Sequence, residues 1–127
     1  MDKNAKKQND IKNIIQEVER RIVQGELKNN SESIIFEGDP SWKLTLAGNV
    51  ASAICEKHKK PVFIYKKMDK ESCGSVRNPK GTNSVDAMKT CDDILITYGG
   101  HAQASGFRVK NNNLEEFKKR LNKFFAK

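Results

Sequence analysis

A short, uninterrupted apolar run, Val62-Phe63-Ile64-Tyr65, follows Pro61 near the middle of the chain. A run of this kind is typical of a strand that is buried on both faces of a sheet. A helical pattern over residues 44–58 precedes it, and an apolar run at residues 33–36 precedes that helix. The order strand, helix, strand predicts a βαβ unit with a parallel pair of strands. The chain is therefore expected to fold around a sheet.

Periodicity elsewhere supplies the other elements. Apolar residues at helical spacing predict a helix over residues 10–28, and residues 114–125 form the best-specified helix of the chain. Residues 72–77 are expected to return beside the buried strand as a hairpin, at an edge of the sheet or lining a site, and residues 107–109 form a further strand. We expect an α/β fold: a small mixed β-sheet of about four to five strands, with a βαβ crossover and helices packed on its faces.

Some local signals are less decisive. For residues 92–98, periodicity does not separate a short buried helix from a strand. The glycines that follow so closely favour a helical turn capped by Asp92. Asn83 is expected to cap a short helix, and Asn113 with Glu116 to form a capping box at the start of the last helix.

The helix over residues 44–58 has two notable positions. Trp42, the only tryptophan, stands just before this helix and is expected to be a core anchor. Gly48 lies within the helix, where glycine costs up to about 1 kcal/mol relative to alanine. We therefore expect a packing or contact reason for Gly48.

Charge indicates a possible class of partner. The chain has 127 residues, which suits one domain, and a net charge of +8 from 24 Lys and Arg against 16 Asp and Glu. Residues 70–127 carry 11 Lys and Arg against 6 Asp and Glu. This bias suits a polyanionic partner. Lysines that simply solvate helix faces remain an open alternative.

The cysteines and the hydropathy bear on compartment. Cys55, Cys73 and Cys91 are odd in number and far apart, which argues against a zinc site and against a disulfide framework. No apolar run approaches the length that spans a membrane, so no membrane partner is expected. A reduced, cytoplasmic setting fits best.

The stretch from Tyr98 to Phe107 contains one of the two histidines and three of the eight glycines. Two adjacent glycines, Gly99 and Gly100, permit unusual backbone conformations and can form a nest of N–H groups for a phosphate. His101, which follows at once, can donate a hydrogen bond to a phosphate oxygen.

A second candidate pair precedes this stretch. Ser75 and Arg77 lie two apart on a predicted strand, so both side chains project from one face. A hydroxyl and a planar guanidinium fork are suited to one phosphate group. A tight turn with a satisfied histidine and a surface ion pair is the structural alternative. The sequence shows no P-loop, no nucleophile elbow and no convergent acidic cluster for a two-metal site.

Together these residues resemble a known family. Gly99-Gly100-His101-Ala102-Gln103-Ala104-Ser105-Gly106-Phe107 resembles the signature of the DHH-associated C-terminal domain of DHH phosphoesterases. Further stretches resemble the RecJ-like branch of single-stranded-DNA exonucleases: Trp42 with Leu46-Ala47-Gly48-Asn49-Val50-Ala51, Lys60-Pro61-Val62-Phe63-Ile64, Gly74-Ser75-Val76-Arg77, and Cys91-Asp92-Asp93-Ile94-Leu95. The resemblance spans roughly residues 9–125. Lys43 stands where family members often have histidine, and Ser105 where they usually have alanine.

The resemblance implies a division of labour between two lobes. An N-terminal DHH lobe, absent from these residues, binds two Mn²⁺ or Mg²⁺ ions and hydrolyses the substrate. The lobe in this chain binds no metal or cofactor and closes over single-stranded DNA. By position, Ser75 and Arg77 contact substrate phosphate, and Gly99, Gly100 and His101 border the scissile bond, with His101 positioning the phosphate for catalysis. The domain alone is expected to be inactive.

The expected organisation follows from the same resemblance. Residues 1–8 are a disordered or tag-like N-terminus, residues 9–30 a connecting helix, and residues 31–127 the substrate-binding domain. The implied function is nucleic-acid binding for a 5′-to-3′ exonuclease of DNA repair and recombination. Two alternatives stay open. One is the matching domain of an oligoribonuclease or cyclic-dinucleotide phosphodiesterase, and the other is a non-enzymatic nucleic-acid-binding module like the appended domain of alanyl-tRNA synthetases.

Overall fold

The structure, a computed structural model, describes residues 3–27 and 32–126. In these residues, four α-helices pack against one five-stranded sheet. The helices are α1 (Lys3–Leu27), α2 (Leu44–His58), α3 (Ser84–Lys89) and α4 (Leu114–Phe125). The strands are β1 (Ile35–Asp39), β2 (Val62–Lys67), β3 (Glu71–Arg77), β4 (Leu95–His101) and β5 (Ala104–Lys110). The expected α/β class with a mixed sheet is confirmed.

The strands are ordered β1-β2-β3-β5-β4 across the sheet. β1 and β2 are parallel and are joined by α2, which confirms the βαβ unit. The other neighbouring pairs are antiparallel. β3 is therefore the central strand rather than an edge, and β4 lies at one edge of the sheet.

The sheet separates two hydrophobic clusters. The first cluster lies between the sheet and helices α1 and α2, and its sheet residues come from β1 and β2 alone: Ile35, Val62 and Ile64. The second cluster lies between the sheet and helices α3 and α4, and it takes Val76 from β3 and Phe107 and Val109 from β5. On the α2 side, β3, β5 and β4 therefore give nothing to a core.

Arg21 fastens α1 to the edge of the sheet. Its guanidinium pairs with Glu37 at 3.3 Å and with Asp39 at 2.9 Å, and it donates to the Gly38 carbonyl oxygen at 3.0 Å. The same group lies 4.9 Å from the centroid of the Trp42 ring, a cation–π contact. Trp42 is buried, as a core anchor should be. Burial raises the pKa of Glu37, although its bonds to Arg21 act in the opposite direction.

The largest departure from the sequence-based expectation is β4. Residues 92–98 were expected to form a helical turn, but a strand begins at Leu95 and continues through both glycines to His101. The reason is pairing at long range, because Gly99 and Gly100 lie opposite Gly106 and Ser105 of β5. Strand pairing of this kind leaves no signal in a local window.

Two smaller differences concern helix ends. The disordered segment expected at residues 1–8 is helical from Lys3 onward, since lysine, alanine and glutamine favour helix and no breaker intervenes. Residues 1, 2 and 28–31 lie outside the described part. Asn83 caps α3, accepting from the Asp86 amide at 3.1 Å, as expected. Asn113 forms no capping bond, and its side chain instead donates to the Ile94 carbonyl oxygen at 3.4 Å.

Candidate functional site

On the α2 side of the sheet, strands β3, β5 and β4 present nine residues that lie outside the hydrophobic core. Their cross-strand pairing arranges them in three parallel rows. We call this surface the open face; its rows are Arg77–Ala104–His101, Ser75–Gly106–Gly99 and Cys73–Arg108–Thr97. None of the nine belongs to either hydrophobic cluster.

The register brings most of the predicted site residues together. Ser75 and Gly99 share the middle row, and Arg77 and His101 share the row beside it. Arg77 and His101 are two strands apart, about 10 Å between Cα atoms at ordinary strand spacing. Only the methyl group of Ala104 stands between them, so both side chains can reach one ligand above it.

Gly100 plays a different part from its neighbour. It lies between the open-face residues of β4, on the opposite side of the strand. Its φ is +134°, and a Cβ there would lie 2.7 Å from both the Ala104 carbonyl oxygen and the Ser105 Cα. At Gly99 a Cβ would meet nothing within 4 Å. The fold therefore requires glycine at position 100, whereas Gly99 leaves the open face bare.

The expected backbone nest is not what the two glycines form. A nest needs consecutive N–H groups that converge. In an extended strand, successive N–H groups point to opposite edges. Any anion on the open face would thus be held by side chains, above all by Arg77 and His101.

Arg77 is the cation best placed to receive such an anion. Its Nη1 donates to the Val76 carbonyl oxygen at 2.8 Å, and it forms no ion pair with any described residue. The other four arginines all pair with carboxylates; they are Arg20, Arg21, Arg108 and Arg120. A guanidinium without a carboxylate partner keeps most of its fork available for an external phosphate or carboxylate.

Gly48 of α2 makes room for this guanidinium. A Cβ at position 48 would lie 2.7 Å from Arg77 Nη2 and 3.9 Å from Ser75 Oγ. The contact reason expected for this glycine is therefore the passage of the Arg77 side chain beneath the helix.

His101 and Ser75 are also uncommitted. His101 is exposed, and in the described part of the chain its ring makes no hydrogen bond or ion pair. The Ser75 hydroxyl likewise has no partner there. A shallow hollow of about 490 Å³ lies over the middle row, and Leu44 at the start of α2 borders it with 41% of its surface exposed.

The sequence reasoning missed the contribution of β5. Gly106 provides the floor of the middle row, and Arg108 stands in the third row, paired with Glu71 at 2.7 Å. The alternation along β5 would have indicated them only if its register against β3 had been known. Lys43 lies apart from the open face, beside a hollow of about 370 Å³ between α1 and α2, where it pairs with Asp10 at 3.6 Å.

The described residues include neither a cluster of metal ligands nor a membrane-spanning helix. The described residues contain no group of three or more His, Cys, Asp or Glu side chains that could hold a metal ion. None of the described helices is long and apolar enough to cross a membrane.

Comparison with known proteins identifies the family of the domain. A family model described as the DHHA1 domain matches residues 31–127. The chain belongs to this family. The single-stranded-DNA-specific exonuclease RecJ of Thermus thermophilus is 33% identical over 89 residues, which are 70% of this chain and 13% of that protein. The resemblance to RecJ is therefore confirmed, and this chain spans well under a quarter of that relative's length.

Solved structures also show the likeness to RecJ. The exonuclease RecJ bound to manganese superposes with a TM-score of 0.79 at 27% identity, covering 98% of this chain and 30% of that one. The C-Ala domain of Aquifex aeolicus alanyl-tRNA synthetase has a TM-score of 0.65 at 17% identity, covering 74% of this chain and 91% of that one. The second likeness shows a shared fold alone.

Proposed function

We propose that this DHHA1 domain holds the sugar-phosphate backbone of single-stranded DNA for a RecJ-like 5′-to-3′ exonuclease. The observation that carries the proposal is Arg77, a guanidinium without a carboxylate partner among the described residues, which shares a row of the open face with the uncommitted His101. These two side chains bracket one phosphate above Ala104, and the Ser75 hydroxyl donates to it from the next row.

The shape of the open face supports the same ligand. The middle row carries only a hydroxymethyl group and two glycines, so it leaves a floor about 10 Å wide with no tall side chain. A sugar-phosphate chain can approach the strands closely there. Gly99 contributes by having no side chain, since nothing in the fold itself requires glycine at that position.

The charge of the open face supports it as well. Arg77 and Arg108 are both cationic, and the acidic side chain beside them, Glu71, is paired with Arg108. The chain as a whole carries a net charge of +8. A polyanion is therefore attracted to this side of the sheet.

Hydrolysis itself is assigned to residues outside this chain. RecJ structures contain manganese or magnesium, whereas the described residues offer no cluster that would bind either. In the proposal, a separate DHH lobe of the same protein holds the metal ions, and His101 orients the scissile phosphate toward them. The intact protein would then act in DNA repair and recombination in the cytoplasm.

The test is the affinity of this chain for a short single-stranded oligodeoxythymidylate, measured by fluorescence anisotropy across about 50 to 200 mM salt. Arg77→Ala is expected to weaken binding about tenfold and to reduce the slope of log affinity against log salt by about 0.7. Arg120→Ala is the matched control, because Arg120 lies on α4, across the sheet, paired with Asp93 and Glu116. If the two substitutions weaken binding equally, general charge rather than the open face explains it, and the proposal is wrong.

A further inference from the structure

The turn that follows His101 is held from outside its own hairpin. Only Ala102 and Gln103 separate β4 from β5. The Ala102 carbonyl oxygen accepts from the Ser84 backbone amide at 2.9 Å and from the Ser84 hydroxyl at 3.0 Å. The Gln103 carbonyl oxygen accepts from the Asn78 amide at 3.2 Å. Both turn carbonyls are thus fixed by other parts of the chain.

The direction of donation between the two serine hydroxyls beneath the turn follows from their partners. Ser84 is fully buried, and its Oγ lies 2.7 Å from the Oγ of Ser105, which is also buried. A hydroxyl has one proton to donate. Because Ser84 donates its proton to the Ala102 carbonyl oxygen, Ser105 donates to Ser84. The result is a relay from Ser105 through Ser84 to Ala102.

The same arrangement ties the turn to β3. Asn78 directly follows Arg77, and its side-chain Nδ2 donates to the Thr82 hydroxyl at 2.6 Å. Thr82 in turn donates to the Pro79 carbonyl oxygen at 2.7 Å. The end of the strand that bears Arg77 and the turn that follows His101 are therefore held together by the bond from the Asn78 backbone amide to the Gln103 carbonyl oxygen.

We propose that Ser84 is a positioning residue for His101, an inference that rests on the proposed function. The His101 ring has no bond of its own to a described residue, so its placement depends on the backbone that carries it. Ser84 fixes the next peptide group through two bonds to one carbonyl oxygen. His101 is thereby held opposite Arg77 before the substrate arrives, which lowers the ordering cost of binding.

The first measurement is hydrogen exchange at the backbone amides of residues 78 and 84, which donate to the turn. Ser84→Ala removes one bond to Ala102 and leaves the Ser105 hydroxyl buried without an acceptor. We expect exchange at both amides to accelerate about tenfold, while amides of β2 stay unchanged. Ser72→Ala is the matched control, because Ser72 is equally buried and bonded at 2.7 Å to Asn111, at the far end of β3.

The second measurement shows whether the effect of Ser84 on DNA binding acts through His101. Oligodeoxythymidylate affinity is compared for the native chain, Ser84→Ala, His101→Ala and the double variant. A positioning role predicts that Ser84→Ala weakens binding about fivefold in the native chain but less than about twofold when His101 is already alanine. The proposal is overturned if Ser84→Ala weakens affinity equally in the native chain and in His101→Ala. It is also overturned if Ser72→Ala changes exchange at residues 78 and 84 as much as Ser84→Ala does.

Two further outcomes distinguish failure of the positioning role from failure of the proposed function. If Ser84→Ala does not fold, Ser105→Ala takes its place, since it removes only the donor to Ser84. Ser105→Ala is expected to change exchange and affinity in the same pattern at about half the size. If that pattern is absent, the proposal is overturned. If His101→Ala leaves affinity unchanged, the proposed function loses His101, and with it the positioning role. Altered exchange would then show only that Ser84 stabilises the turn.

Discussion

Gly48→Ala in α2 is expected to weaken the binding of single-stranded DNA without lowering the stability of the fold. The new Cβ would lie 2.7 Å from Arg77 Nη2, closer than atoms of this kind approach one another. The atom it meets is the far end of a flexible side chain, so the guanidinium can move away while the backbone stays. We therefore expect α2 and the sheet to remain intact and Arg77 to leave its place beside Ser75.

The magnitudes follow from the same contacts. Alanine in place of glycine in a helix interior stabilises by about 1 kcal/mol. Loss of the bond from Arg77 to the Val76 carbonyl oxygen costs about 0.5–1 kcal/mol. The free energy of unfolding should thus stay equal or rise by up to about 0.5 kcal/mol. Affinity for single-stranded DNA should fall about tenfold, because the displaced fork no longer faces His101 across Ala104.

The assay combines urea unfolding with oligonucleotide anisotropy on the same samples. Gly25→Ala is the matched control: it also replaces a glycine inside a helix, but its Cβ meets nothing within 4 Å. It should stabilise similarly and leave affinity unchanged. Undiminished affinity in Gly48→Ala would refute the role given to Arg77, and a loss of more than about 2 kcal/mol in stability would refute its freedom to move.

Two other predictions concern β4 and the helix contact at Glu19. Gly100→Ala should destabilise the chain by more than about 2 kcal/mol in urea unfolding, because position 100 combines a positive φ with close backbone contacts, whereas Gly99→Ala should be nearly neutral for stability. Burial raises the pKa of Glu19, but hydrogen bonds from Lys57 and His58 outweigh it and the net pKa is lowered. The stability from this contact should therefore be present above about pH 4.5 and be lost as pH falls through the lowered pKa; Glu19→Gln, compared at about pH 7 and pH 3, should remove that part of the acid dependence.

Local patterns were enough for the elements whose cause is local. The helix over residues 114–125 and the βαβ unit follow from spacing and apolar runs, and both appear with nearly the expected bounds. Ser75 and Arg77 were placed on one face by the two-residue period of a strand. The strand register also places Gly99 and His101 on this face.

What the sequence could not provide depends on register. Local patterns predict a helical turn in place of β4, because its partner, β5, begins beyond the glycines and nothing local marks the pairing. Gly106 and Arg108 were missed for the same reason, since their rows exist only once β5 is aligned with β3. The sequence places Ser84 in a capped helix, and its bonds to the Ala102 carbonyl oxygen appear only where the hairpin turn lies against α3.

The separation of the open face from both hydrophobic clusters has a consequence for how such a domain can change. Val76 and Phe107 hold the fold together from one side of β3 and β5, while Ser75 and Gly106 on the other side belong to neither hydrophobic cluster. Gly99→Ala should therefore cost little folding free energy, because its Cβ meets nothing within 4 Å, whereas a Cβ at Gly106 would lie 3.2 Å from the Gly74 carbonyl oxygen. Side chains at open-face positions with space above them, such as Gly99, can therefore be exchanged while the fold persists.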